Sequence, residues 1–246
     1  MRIIASIVTK NETSRYFQSM LEHNKFWWND LFVYDDRSED DTVEMALEYT
    51  DSVFRRPLSA PSFIEHEGDF RSNALRALVD KMSIAPGDWI FAIDSDEFLF
   101  TDYGRYTLPD IIEHAVEAGK TSVNLKIPEI WSINHSRLHK RVDGFWDTMS
   151  LPRLYQYKDG WSFRNKAMGS GSGPSYTYND MYQVEYHESH LLHVGYADED
   201  DRIAKHKRYT SLKNHGHNPL HIRSIIEEPE LEEYVDFSPR LWRGRI

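Results

Sequence analysis

The sequence predicts an α/β fold: a mostly parallel central sheet flanked by helices, followed by a more irregular second half. Three observations predict it. Short apolar runs alternate with helical patterns through the first half, which is the signature of repeated βα units. The most apolar of these runs, Trp89 to Ile93, leads directly into three carboxylates, and ligands of open α/β sheets bind at the carboxyl ends of the strands. After residue 100 the alternation gives way to a stretch rich in Trp, Tyr, Gly and Asn.

Each element follows from its own pattern. Ile3 to Val8 reads as the first strand, and Thr13 or Ser14 is placed to cap a helix with Phe17, Leu21 and Trp28 on its apolar side. Leu31 to Tyr34 is the second strand. Asp40 and Asp41 put negative charge at the start of a helix running to Tyr49, where the helix dipole favours it. Val53 to Arg55 is the third strand, and Asp69 to Met82 an amphipathic helix that stops before Pro86-Gly87. Trp89 to Ile93 is the fourth strand. Leu108 to Ala118 is a helix begun by Pro109 and ended by Gly119, Ser122 to Ile127 a strand, and Asp198 to Tyr209 a helix with acids first and bases last. The run Met168 to Pro174, with glycines at 169, 171 and 173, has little to fix its backbone and reads as a mobile loop.

Composition bounds the function. With 246 residues, 40% of them apolar, the chain is expected to form one domain. Forty acids against 29 bases give a net charge of −11, which disfavours polyanionic partners, although Arg137, His139, Lys140 and Arg141 make a local basic cluster. There is no cysteine, so disulfides and thiolate metal sites are excluded and a reducing compartment, the cytoplasm, is expected. The apolar run at Ile3 to Val8 is cut by Lys10-Asn11-Glu12, too short for a membrane segment or secretory signal.

The strongest chemical feature is Asp94-Ser95-Asp96-Glu97 at the end of the fourth strand. If the chain stays extended there, Asp94 and Asp96 point to one side and share a hard cation, Mn²⁺ or Mg²⁺. The bland alternative, a solvated turn, fits poorly because Phe98 returns the sequence to apolar character. A second acidic strand end, Asp35-Asp36, lies on the same expected edge and suits hydrogen bonding to a base or ribose, while Asp40 or Asp41 caps the next helix.

Taken in order, Ile4 to Glu12, Asp35-Asp36-Arg37-Ser38, Phe70 to Leu75 and Ile93 to Phe98 resemble the opening blocks of family 2-like glycosyltransferases with a GT-A fold, over residues 1–100. The resemblance implies a nucleotide-sugar-binding half at 1–100 and an acceptor half at 101–246. It implies that Asp36 or Asp35 contacts the nucleoside, that Thr9, Asn11, Arg71, Asn73, Asp94 and Ser95 belong to the nucleotide-sugar site, and that Asp94 and Asp96 are the carboxylates of the metal motif. In such enzymes a late histidine often completes the metal site, and His190 to Tyr196 resembles that segment. His190 and His193 fall on opposite strand faces, and His193 is the chosen ligand. Lys205 and Arg208 resemble the bases that meet a donor diphosphate; Lys207 belongs to the same cluster.

The implied reaction transfers a sugar from a nucleoside diphosphate sugar, UDP-linked, to an acceptor that is a glycan, protein, small molecule or modified base. An inverting reaction needs a carboxylate base, for which Asp147 and Glu188 are the candidates, with Glu185 beside them. Trp131, Trp146 or Trp161 can stack on a sugar ring. Two rival readings are a haloacid-dehalogenase-type phosphatase with Asp94 as nucleophile, which fits poorly with Phe98, and a non-catalytic nucleotide or carbohydrate binder on the same fold.

Overall fold

The computed structural model describes residues 1–101, 107–134, 137–147, 149–166, 171, 173–179, 181–184, 189–211 and 218–234. Four parallel strands, β1 (Ile3–Thr9), β2 (Asp30–Asp35), β3 (Val53–Arg55) and β4 (Trp89–Asp94), form one half of the main sheet in the order β3-β2-β1-β4. β1, β2 and β4 thus begin and end within a residue of the sequence expectation, and β3 coincides with it.

The helices between these strands are α1 (Phe17–Asn24), α2 (Thr42–Leu47) and α3 (Glu67–Met82). Alternate residues of each strand serve opposite faces. Ile3, Ala5 and Ile7 pack with Phe17, Met20 and Leu21 of α1, while Ile4 and Phe32 pack with Phe70, Ala74 and Leu78 of α3. A sheet covered on both sides needs strands apolar at every position, which is why these runs were legible.

The capping expectation for α1 is corrected. Residues 13–16 form a turn, and Tyr16 occupies the cap without a side-chain bond. The backbone N–H of Thr13 donates to Asp40, and that of Glu12 donates to the Thr42 hydroxyl. The segment is therefore tied to the start of α2. Asp40 is held there as an anion, its hydrogen bonds from Thr42 and Thr13 outweighing desolvation. Asp41 sits at the α2 cap without a side-chain bond.

The second half continues the sheet with β5 (Glu97–Thr101), α4 (Leu108–Glu117) and β6 (Ser122–Lys126). Thr107 and Asp110 close a reciprocal capping box on α4. A separate three-stranded sheet, ordered β12-β8-β7, contains β7 (Ile130–Asn134), β8 (Arg137–Arg141) and β12 (Leu231–Glu233). β9 (Ser150–Gln156), β10 (Met181–Gln183) and β11 (Ser189–His193) return to the main sheet, which runs on from β4 as β9-β6-β11-β5, with β10 beside β6. α5 (Glu199–Ser211) and α6 (Pro219–Ser224) follow.

Packing separates the three tryptophans offered for sugar stacking. Trp131 and Trp146 are 2% and 1% exposed and joined edge to face in a third core cluster, where Trp131 stacks on Tyr196 and Trp146 meets it edge-on. Trp161 is half-buried beside Arg76. The basic cluster is also neutralised locally: Arg137 pairs with Glu233, Lys140 with Glu232, and Arg141 with Asp143. Among the described residues no helix is long and apolar enough to cross a membrane.

Candidate functional site

β1 is the point at which the strand order of the parallel half reverses, since β2 and β3 follow on one side and β4 lies on the other. Crevices outside the carboxyl ends of such strands are where open α/β sheets bind ligands. Thr9 and Asp94 stand at those ends, with Val8 opposite Asp94 in register.

The chain does not stay extended after Asp94. Ser95 and Asp96 form a turn, closed by an N–H of Asp94 that donates to the Glu97 carboxylate at 3.0 Å. This corrects the expectation that Asp94 and Asp96 aim together at one cation. β5 leaves the turn to pair antiparallel with β11, setting Glu97 opposite His193. That register delivers His193 to the turn: its Nε2 lies 3.3 Å from Asp96 Oδ2. His190, on the other face, pairs with the Tyr234 hydroxyl and stacks on Phe100.

The Asp96 and His193 pair is charged. Burial alone would raise Asp96 and lower His193, but each group's partners overcome this. His193 holds the Asp96 carboxyl well below its usual range, helped by Lys205 and Arg15, while Glu129 and Asp96 raise His193 well above the ordinary imidazole value. Gly195 lets the backbone pass close against both side chains. A Cβ at Gly195 would lie 2.2 Å from Asp96 Oδ2 and 2.7 Å from His193 Nε2.

Asp94 belongs to a different network. Arg153 of β9 lies 3.1 Å from its Oδ2 and also binds Glu97, and Arg71 of α3 lies 3.9 Å from its Oδ1. Burial opposes ionisation of Asp94, yet these two guanidiniums keep its carboxyl below the usual range. Arg71 is fixed in turn by Glu67 at 2.8 Å. Among the described residues no three His, Asp or Glu side chains gather closely enough to hold an ion by themselves. Of the expected triplet, Asp96 and His193 lie side by side, while Asp94 is bound by Arg153 and Arg71 and feels the charges of both. A carboxylate and an imidazole suit Mn²⁺, which commonly takes its remaining ligands from water and substrate phosphates.

Polar atoms also converge on the crevice from β1. Thr9 Oγ1 and Glu12 Oε2 are buried without a hydrogen-bond partner. Ser95, 7% exposed, bonds the Glu12 carboxyl through its hydroxyl. Burial, opposed by Arg15 and reinforced by Asp96, pushes Glu12 up to about 7. Asn11 and Arg37 adopt φ of 55° and 62° in the loops after β1 and β2, and such backbone strain tends to collect at functional sites.

The other predicted residues fall in several places. Asn11 accepts from the Glu39 N–H, bracing one loop against the other. Asp35, fully buried, accepts from the N–H and hydroxyl of Ser38, and Asp36, 2% exposed, binds Arg56 at 2.5 Å. Asp35 thus holds its own loop, while Asp36 ties that loop to the segment after β3 through Arg56 and the Phe63 N–H. Lys205 lies on α5 with its Nζ 3.8 Å from the centre of the Tyr196 ring, and Arg208 is exposed beside Tyr209. Asn73 is not brought to the turn; it lines a separate groove of ≈ 610 Å³ with Phe54, Arg76 and Lys81. Asp147 is exposed, and nothing among the described residues ties it to the turn. Glu185, Glu188 and most of the glycine run, Met168, Gly169, Ser170 and Ser172, lie outside the described residues.

Sequence reasoning missed Glu12, Arg153, Glu129 and Gly195 as site residues. Arg153 did carry a signal, a lone charge inside the apolar run Leu151 to Tyr157.

The sheet order, the mostly parallel strands and the helices on both faces define a fold of the GT-A, Rossmann-like type. Comparison with solved structures agrees: the S. aureus TarS crystal structure superposes with a TM-score of 0.52 at 16% identity, over 92% of this chain and 42% of that one. This chain therefore spans less than half the length of that protein. Looser likenesses are to S. aureus TarS 1-349 in complex with UDP (TM-score 0.48, 16% identity, 92% of this chain and 69% of that one) and to Mycobacterium tuberculosis glucosyl-3-phosphoglycerate synthase in complex with Mn²⁺ and UDP-glucose (0.34, 18%, 52% and 43%). No family model and no curated protein matches the sequence.

Proposed function

We propose that the protein is a metal-dependent, family 2-like glycosyltransferase that moves a sugar from a nucleoside diphosphate sugar, UDP-linked, to an acceptor held by its second half. One observation carries this reading. At the reversal of strand order, Asp96 and His193 face each other across 3.3 Å, packed so closely against Gly195 that a side chain at that position would collide with both. An ion bound there, Mn²⁺ or Mg²⁺, would neutralise the diphosphate as the bond from the anomeric carbon to its oxygen breaks.

The chain's own residues supply the rest. Lys205 brings positive charge to the Asp96 side of the crevice, Thr9 and Glu12 offer polar atoms to the donor, and Arg71 and Arg153 fix Asp94 against drifting toward the cation. Glu188, directly before β11 in the chain, is the carboxylate we favour as the base of an inverting reaction, ahead of the exposed Asp147. The pairing of Arg137 and Lys140 with β12 glutamates favours a glycan, protein or small-molecule acceptor over nucleic acid. The cysteine-free composition suits the cytoplasm.

With two proposed ligands beside one another among the described residues, ion and donor should bind together. UDP is expected to bind well with Mn²⁺ and poorly with excess chelator in calorimetry; equal affinity in the two would remove the assignment. Hydrolysis of a simple phosphate ester with phosphate trapped on Asp94 would favour the phosphatase reading instead. A paired substitution separates site from core. His193→Ala is expected to weaken Mn²⁺-dependent UDP binding by about 10- to 100-fold. His190→Ala should leave that binding intact and lower the melting temperature, since it empties a packed position against Phe100 and Tyr234. The reverse pattern would mean that the ligand has been misassigned.

A further inference from the structure

A carboxylate stands behind the proposed metal histidine. Glu129 lies between β6 and β7 and is 2% exposed. Its backbone is held from two sides: its carbonyl accepts from the Arg141 N–H at 2.9 Å, and the segment bridges to His193, whose N–H donates to the Pro128 carbonyl at 3.1 Å. Its Oε2 lies 2.5 Å from His193 Nδ1, while the opposite ring nitrogen, Nε2, faces Asp96. Tyr196 meets the imidazole edge to face, with 5.4 Å between ring centres.

The Glu129 side chain is almost wholly removed from solvent, and a carboxylate so buried needs a dedicated partner. The His193 ring is that partner, and the geometry works in both directions, since the acid also fixes the ring.

We propose that Glu129 is a positioning residue for His193, accepting its Nδ1–H so that the Nε2 lone pair is presented to the cation beside Asp96. The inference rests on the metal-site reading above. A carboxylate behind a ligating imidazole fixes its tautomer and orientation and makes it a better donor. It also adds a second negative charge close to the ion without occupying a coordination position.

The test uses the full chain with saturating UDP and Mn²⁺, reading Mn²⁺ affinity and, by pulsed electron paramagnetic resonance, the coupling from a directly bound ¹⁴N. Wild type is expected to show the nitrogen coupling. Glu129→Gln, which keeps the shape and an acceptor oxygen but loses the charge, should weaken Mn²⁺ about tenfold. Glu129→Ala frees the ring and should remove the coupling. Glu129→Asp, an anion withdrawn by one methylene, should fall between wild type and Glu129→Gln in affinity, and these two variants decide the matter if the alanine protein does not fold. Wild-type affinity and coupling in every folded variant overturn the proposal. If the wild type itself shows no nitrogen coupling and His193→Ala binds Mn²⁺ unchanged, the metal reading has failed, and the role of Glu129 fails with it.

Discussion

Gly195→Ala is expected to yield a folded protein that has lost about 10- to 100-fold in Mn²⁺-dependent UDP affinity. The backbone at Gly195 lies outside the left-handed region, so alanine meets no conformational penalty there. The added methyl meets instead the two side-chain ends proposed to bind metal, at 2.2 Å from Asp96 Oδ2 and 2.7 Å from His193 Nε2. Contacts that short cannot persist, and the carboxylate and imidazole must swing apart. Crowding of this kind costs about 1–3 kcal/mol of stability, which a folded domain tolerates. Calorimetry with UDP and Mn²⁺ beside a thermal melt checks both halves of the expectation. Full Mn²⁺-dependent affinity in the variant would show that the Asp96 and His193 pair is not where the ion sits.

The second large effect concerns Glu12 and runs against the usual direction of a mutation. Burial raises this carboxyl from 4.5 to about 7. A group whose folded value is raised contributes stability that is fully present below its unfolded value and lost as pH rises through the folded one. At pH 8 the ionised Glu12 therefore costs the metal-free protein about 3 kcal/mol relative to a neutral side chain. Glu12→Gln should stabilise the apo protein by roughly this amount at pH 8, and the gap should close toward pH 4. Denaturant melts of the two proteins at the two pH values measure it. The same substitution should weaken UDP binding, because Glu12 Oε2 is a buried acceptor at the proposed donor crevice that has only the Arg15 guanidinium, 3.9 Å away, near it and no hydrogen bond. A glutamine variant no more stable than wild type at pH 8 would mean that Glu12 is solvated or paired in solution.

Much of the first half was legible in the sequence because its signals are local. A strand buried on both faces must be apolar at successive positions, and Ile3, Ile4 and Ala5, like Trp89, Ile90 and Phe91, are so whatever lies beside them. α3 announces itself through Phe70, Ala74 and Leu78 on one face. That His190 and His193 face opposite ways needed only the two-residue period of a strand, whereas the nearness of His193 to Asp96 came from strand pairing. The start of α1 was not legible: Thr13 is a good capping residue, but Asp40, 27 positions away, takes its backbone N–H. Which of the three tryptophans are core was not legible, because an aromatic residue in a glycine- and tyrosine-rich stretch looks the same whether it lines a crevice or fills a core.

By itself the sequence determined the strands of the nucleotide half, the carboxylates that end β2 and β4, and the histidine available to meet them. Only the tertiary structure decided how those groups divide. Asp94 turns to Arg71 and Arg153 while Asp96 turns to His193, and the choice is made by partners 23, 59 and 97 positions away along the chain. The physical reason is that periodicity and propensity are set by neighbours in sequence, whereas the turn at Ser95-Asp96 exists because β5 must leave it to pair with β11. Strand register places a side chain across space, and a linear pattern carries no term for that distance.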